Sequence, residues 1–311
     1  MDAIAAALGA VTPGEPLTFA GLTMVPLLDG PPRGEAYLTL DDAVATGAFR
    51  VTEVSEAGSV PELLVVNDLE ERVLIVDGEE LVGAKQNRIV NLSVLVPPRS
   101  RIHLPVSCVE AGRWHHRTRH FGTAPRTYYA SGRAMKARAV TSSLRAVGRA
   151  VSDQSAIWDD IARKADRFEA RSETGAMDVL FERSAPALRR LESRFEPRPG
   201  QVGAVFLIDG APAGIDVFDS AETWRKLSPK LVASYGLDAV DVAAPQSQPP
   251  AASVVGRLVA DLLARAGELR VERYPAAGLG EDVRLSGPSL AGGALVVDER
   301  LVHLAVFPRA R

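Results

Sequence analysis

Cys108 is the only cysteine in 311 residues. That excludes an intrachain disulfide framework and a metal site built on several thiolates, and makes a reducing cytoplasm the expected compartment. No run of about eighteen apolar residues occurs, so no membrane span is expected. The first residues, MDAIAAALGAV, lack a basic start and carry Asp2, so they read as a short amphipathic helix and not as a secretory signal. GxGxxG, GxxxxGK[ST], GxSxG and HExxH are all missing, which leaves dinucleotide-fold, P-loop, hydrolase-elbow and zinc-protease readings without support. Cys108 also lacks the Cys-x5-Arg loop of cysteine phosphatases.

Acidic residues are absent from one long stretch. Between positions 111 and 151 there is no Asp or Glu, while Arg113, Arg117, Arg119, Arg126, Arg133, Lys136, Arg138, Arg145 and Arg149 accumulate beside His115, His116 and His120. From residue 35 to 80 the reverse holds, and acids outnumber Arg50 and Arg72. Such segregation either focuses a positive field on an anionic ligand or lets the basic stretch pack against the acidic one. The total of −3 points to no partner by itself.

The apolar share of 46% and charged share of 24% are those of a soluble globular chain. With 26 glycines and 21 prolines, turns and short strands are favoured over a helical bundle. Residues 17–28 read as a strand pair broken at Gly21, and 30–34 (GPPRG) as a turn. A short helix over 41–46 is capped by Asp41 or Asp42. Alternation predicts a strand at 49–53, and a hairpin from strands 63–67 and 73–77. Asp77-Gly78 is a turn signal. Strands at 88–96 and 101–109 follow, the latter at an edge or bulge near Pro105. Helices are expected over 130–148, from Ser152 or Asp153 to 166 (burying Ile157, Trp158 and Ile161), and from 175 to 195, where Pro186 kinks or divides the last. A hairpin spans 201–218 around Asp209-Gly210, and a helix capped by Asp219 or Ser220 runs to about 235. A linker at 242–250, a helix over 252–266 and three strands close the chain.

The fold expected is α+β, an antiparallel β-sandwich or partly closed barrel with an inserted helical segment. One domain spans 1–240: β-rich over 15–110, helical over 128–195, hairpin and helix over 201–238. Residues 241–311 pack on the same domain.

The densest polar chemistry lies in residues 77–91. A turn rich in carboxylates, Glu79 and Glu80, precedes Lys85, Gln86, Asn87, Arg88 and Asn91, all interleaved with apolar residues. Such groups face solvent in a loop, pair with each other, or bind something. Glu79, Glu80 and Glu110 are candidate acid–base groups, Lys85 and Arg88 charge stabilisers, and Gln86, Asn87 and Asn91 orienting donors. Cys108 is a weaker candidate nucleophile, since a cysteine inside a strand is more often a small buried hydrophobe. Arg113, Arg117 and Arg119 suit phosphate, and Trp114 either stacks on a base or anchors its loop. His115, His116 and His120 lie among arginines that disfavour a dication, so no metal site is expected. No nucleic-acid motif accompanies the basic run. The sequence names no cofactor.

DGEELVGAKQNR, NLSVLVPPRS, PVSCVEAGRW, SDQSAIWDDI and FDSAETW together resemble an uncharacterised bacterial domain family named for its association with ADP-ribosylglycohydrolase and rhodanese-phosphatase proteins. The resemblance runs through most of residues 15–240 and thins over the last 70. It implies proximity to ADP-ribose and phosphate metabolism, hence an anionic, nucleotide-like ligand; it carries over no catalytic residue. Two functions follow as expectations. One is an enzyme acting on a phosphate-bearing small molecule such as an ADP-ribose or nucleotide derivative. The other is a non-catalytic module recognising an ADP-ribosylated or phosphorylated partner.

Overall fold

The computed structural model describes residues 3–30, 34–55, 58–242 and 251–309. The chain begins with α1 (Ala3–Ala10), β1 (Thr12–Pro13), β2 (Leu17–Phe19) and β3 (Leu22–Leu28). A β-rich unit follows: β4 (Tyr37–Thr39), α2 (Leu40–Ala45), β5 (Phe49–Glu53), β6 (Glu62–Asn67), β7 (Arg72–Ile75) and β8 (Glu79–Gly83). It continues with β9 (Arg88–Val90), β10 (Val94–Val96), β11 (Ser100–Cys108) and β12 (Phe121–Thr127). Helices α3 (Ala130–Val147), α4 (Gln154–Arg167) and α5 (Asp178–Arg194) lead to the hairpin β13 (Gln201–Ile208) and β14 (Ala211–Phe218). Last come α6 (Ala221–Asp241), α7 (Ala252–Gly267), β15 (Arg270–Pro275), β16 (Glu281–Ser286), β17 (Leu290–Val297) and β18 (Arg300–Pro308).

The fold is α+β with largely antiparallel sheets. The first and last strands share one nine-stranded sheet, in which β14 pairs with β18 and β13 with β3. Both of its faces are covered. Along β18, Leu301, Leu304 and Val306 enter one core with α1 and α7, while Val302, Ala305 and Phe307 enter another with α5 and α6. This alternation, shifted once at the bulge between Leu301 and His303, explains why β18 reads as a largely apolar run although the sheet is antiparallel. The β-rich unit has its own core, where Phe49, Val65, Ile75, Leu81, Val94 and Val106 meet between a six-stranded and a three-stranded sheet. That is the partly closed sandwich expected, followed in the chain by the helical segment. No helix among the described residues is long and apolar enough to cross a membrane.

Several local expectations need correction. Strands β6 and β7 form, but not as a hairpin: β6 pairs with β5 and β11, and β7 with β4 and β10. Burial alternates along β6 yet is continuous in β7 from Val73 to Ile75, so one suits a half-covered sheet and the other a sheet covered on both faces. Strand β11 is interior. Pro105 sits where its ladder with β6 ends and that with β9 begins, so the missing N–H falls at the change of partner. Thr39, not an aspartate, caps α2, with Asp42 completing a reciprocal capping box. Helix α5 is not divided at Pro186: Phe181 and Leu188 fix both flanks in the core. Trp158 is only half-buried. Helix α6 runs on to Asp241, and β16 was not foreseen. The expected turn at 30–34 and linker at 242–250 fall largely outside the described residues.

A buried ion network ties the three parts together. Arg133 of α3 holds both oxygens of Asp216 on β14, at 2.6 and 3.1 Å, and lies 3.4 Å from Asp77 at the turn before β8. Lys136, one turn on, contacts Asp77 and donates to the carbonyls of Val90 (2.7 Å) and Asn91 (3.1 Å). Tyr235 adds a hydrogen bond to Asp216 at 2.8 Å. Burial pulls the Lys136 amine down to about 8 despite the neighbouring Asp77. Arg133→Met would leave Asp216 buried without its guanidinium. The expected loss is about 3–5 kcal/mol in urea unfolding. A loss below about 1 kcal/mol would show that the network does not hold the parts together.

Candidate functional site

The site begins at the Asp77-Gly78 turn. Gly78 has φ +85°, and a Cβ there would meet the Arg133 stem at 3.0 Å. Glycine is needed both for the left-handed backbone and for the close passage of Arg133. Strand β8 then sends Glu79 and Glu80 to opposite faces. Glu79 accepts from the Val76 amide (2.8 Å) and from Lys230 of α6 (2.7 Å), which also pairs with Asp41 of α2 at 2.8 Å. With both oxygens taken, Glu79 holds β8 against α6 and α2.

Glu80 faces β12 and the start of α5. It is 1% exposed; one oxygen is bound by Arg126 and the other, Oε1, has no hydrogen-bond partner. Burial pushes its carboxyl up to about 7, against the pull of Arg126 and with the help of the negative charges of Asp178 and Glu110. Glu110 has the opposite fate. Burial raises it, but hydrogen bonds from Arg113 (2.6 Å), Thr174 (2.8 Å) and the Asn87 amide (3.1 Å) outweigh that and keep it below the usual carboxylate range. Two electrostatically coupled carboxyls are thus driven apart, one towards the protonated form at neutral pH and one towards the ion.

The segment 83–87 is held against the loop after β11. Gly83 has φ +115°, and a Cβ there would collide with Thr118 Oγ1 at 2.3 Å. Ala84, at φ +37°, carries backbone strain of roughly 1–2 kcal/mol. Its amide donates to Thr118 and its carbonyl accepts from Arg113 (2.6 Å) and the Arg117 amide (2.9 Å). Gln86 donates to the Glu110 carbonyl at 2.8 Å, and the Asn87 side-chain oxygen accepts from Gly83 and Arg113.

Arg88 is sealed, with Nη1 against Cys108 Sγ and 3.1 Å from Gln86 Oε1. Its Nε and Nη2 have no hydrogen-bond partner, and Glu53 stands off at 4.0 Å. Gln154 clamps both the amide and the carbonyl of Cys108, at 2.8 Å each, so the thiol is buried within a rigid ladder. Trp114 is 46% exposed and packs under Arg88 and Lys85, whose charged ends lie 5.5 and 5.4 Å from its ring centre. The Lys85 amide donates to Glu53 at 3.3 Å.

Contacts link Lys85, Gln86, Asn87, Arg88, Cys108, Glu110, Arg113 and Trp114, whereas Glu80 is tied to them only electrostatically through Glu110: its ladder partner is Ile89 and Arg88 lies opposite Leu81, so the two point to opposite faces of the sheet. Arg117 reaches Glu110 only at 3.8 Å from an exposed position, and Arg119 is exposed. Asn91 lies apart, bonded to Ala150 and Ser107. Sequence reading passed over Glu53, Arg126, Thr174 and Asp178. Arg126 had a signal, since a cation on a strand with no acid nearby in sequence must find its counter-charge elsewhere. Glu53, Thr174 and Asp178 had none.

Ser93, His303 and Asp216 form a second chain of contacts, at 2.7 and 3.3 Å, that mimics a nucleophilic triad. The adjoining cavity, lined by Asp77, Arg284 and His303, is about 10 Å³, room for one water and not for an acyl group. Asp216 is moreover committed to Arg133. This is a structural seam. No three His, Cys, Asp or Glu among the described residues group to hold a metal ion.

The model of the ARG and Rhodanese-Phosphatase-superfamily-associated Protein domain matches residues 10–307. The chain belongs to this family. No curated protein and no solved structure matches it. The family match takes in the last 70 residues, where the resemblance had thinned, and so includes His303 and the strands that complete the large sheet.

Glu80 binds its proton more tightly in the folded chain than in the unfolded one. Its contribution to stability is complete below the unfolded value near 4.5 and is lost as pH rises through about 7. The stability advantage of wild type over Glu80→Gln should therefore shrink by about 3 kcal/mol between pH 4 and 8 in chemical denaturation. A difference independent of pH would mean that Glu80 titrates normally.

Proposed function

We propose that this protein is an enzyme acting on a phosphate-bearing small molecule of the ADP-ribose or nucleotide class, with Glu80 as its general acid–base. The observation that carries the reading is Glu80 itself, a buried carboxyl with one oxygen on Arg126 and the other unpartnered. Near neutral pH such a group gives a proton to a leaving oxygen, and Arg126 then stabilises the carboxylate left behind. Glu110 stays ionised and serves as a positioning residue: it fixes Arg113 and the 83–87 segment and draws Arg117 towards the rim. Lys85 and Arg88 supply positive charge for the phosphate. The family's name, with its association to ARG and rhodanese-phosphatase proteins, agrees with this substrate class and adds only an association.

The test is incubation with ADP-ribose, NAD, nucleotides and simple phosphate esters, followed by mass spectrometry. Turnover of one of them is expected, falling as pH rises above about 7 because Glu80 must be protonated. Glu80→Gln should lower the rate by roughly 10²–10⁴-fold while the fold and ligand affinity survive. An unchanged rate in that variant would remove Glu80 from the mechanism. Binding without turnover would instead favour the module that recognises an ADP-ribosylated or phosphorylated partner.

A further inference from the structure

Arg88 is a cation that the protein's own acceptors leave incompletely satisfied. A buried guanidinium has five donors in a fixed plane, and leaving donors unmade in a dry place is unfavourable. Gln86 and Cys108 occupy Nη1, while Nε and Nη2, neighbours on one edge of the fork, are unpartnered at 0% exposure. Among the described residues Glu53 is the only carboxylate paired with it, and its 4.0 Å separation is too long for a hydrogen bond. That free edge is the one with which arginine takes two oxygens of a phosphate at once.

An aromatic plate lies against this guanidinium. The Trp114 ring centre is 5.5 Å from the buried Arg88 head, and the indole is itself 46% exposed, so it reaches from the guanidinium to the surface. It rides on residues 111–120, which contain no helix or regular strand. Lys85 flanks the same ring. Gly58, at φ +79°, brings bare backbone against both, since a Cβ there would lie 3.2 Å from the Lys85 stem and 3.3 Å from the indole. Cation and aromatic surface side by side fit a ligand that carries both an anion and a flat ring.

We propose that Arg88 and Trp114 form the subsite of a nucleoside phosphate. The indole moves aside to admit the phosphate to the Nε–Nη2 edge of Arg88, and then stacks on the base. This rests on the acid–base reading above and names its substrate's recognition elements. Gln86 links the two: it orients Arg88 through its oxygen and binds the Glu110 carbonyl through its nitrogen. A phosphate on Arg88 is thereby linked to the Glu110 backbone.

The experiment is a binding titration of the full chain with ADP-ribose, AMP, adenosine and inorganic phosphate, followed by calorimetry and by tryptophan fluorescence. Wild type should bind AMP and ADP-ribose at least tenfold more tightly than adenosine or phosphate alone, with a change in indole emission absent from Trp114→Phe. Trp114→Ala, at a half-exposed position, should lose tenfold or more for the nucleotides and little for phosphate. Arg88→Lys, checked for folding by circular dichroism, should lose tenfold or more for every phosphate-bearing ligand. Nucleotide affinities within twofold of wild type in both variants, or no nucleotide binding at all, would overturn the subsite. The two proposals fail separately. Turnover abolished by Glu80→Gln with both affinities intact in the Arg88 and Trp114 variants refutes the subsite alone, whereas Arg88- and Trp114-dependent binding without turnover refutes the enzyme alone.

Discussion

Buried charge must be matched by buried charge, and in this protein that requirement decides the architecture. Arg133 and Lys136 on α3 cannot sit in a dry interior without Asp77 and Asp216, and neither acid can sit there without them. The pairing fixes α3 at once to the β-rich unit and to the large sheet. Once that register is set, β8 runs with Glu79 towards α6 and Glu80 towards β12, and the rest of the site follows.

The same requirement accounts for part of the acid-free stretch between 111 and 151. Arg113, Arg126, Arg133 and Lys136 are each seated on a buried carboxylate: Glu110, Glu80, Asp216 and Asp77. Much of the segregation seen in the sequence is one side of an internal neutralisation. The positive charge left outside these pairs is correspondingly smaller than the sequence suggests.

Element positions were largely legible because each has a local cause. The period of two along 49–53, the φ-permissive Asp77-Gly78 turn, and the Asp153 and Ser220 caps are written in adjacent residues. Strand partners were not. Residues 62–67 and 72–75 look like a hairpin until their different burial sends them to separate sheets. The site was legible as a region and illegible in its roles. Glu79 and Glu80 are indistinguishable in sequence, and what separates them is Lys230 arriving 151 positions later on one face and Arg126 on the other. Glu53 gave no sign of lying across from Arg88, since tertiary pairing leaves no local mark.

The acid–base reading of this chain depends on one carboxyl being held near neutrality by burial. Carbon-13 NMR of glutamate labelled at the side-chain carboxyl, with Glu80→Gln to assign the resonance, measures that directly. The account predicts a Glu80 midpoint near 7. A midpoint close to 4.5, the ordinary glutamate value, would contradict it.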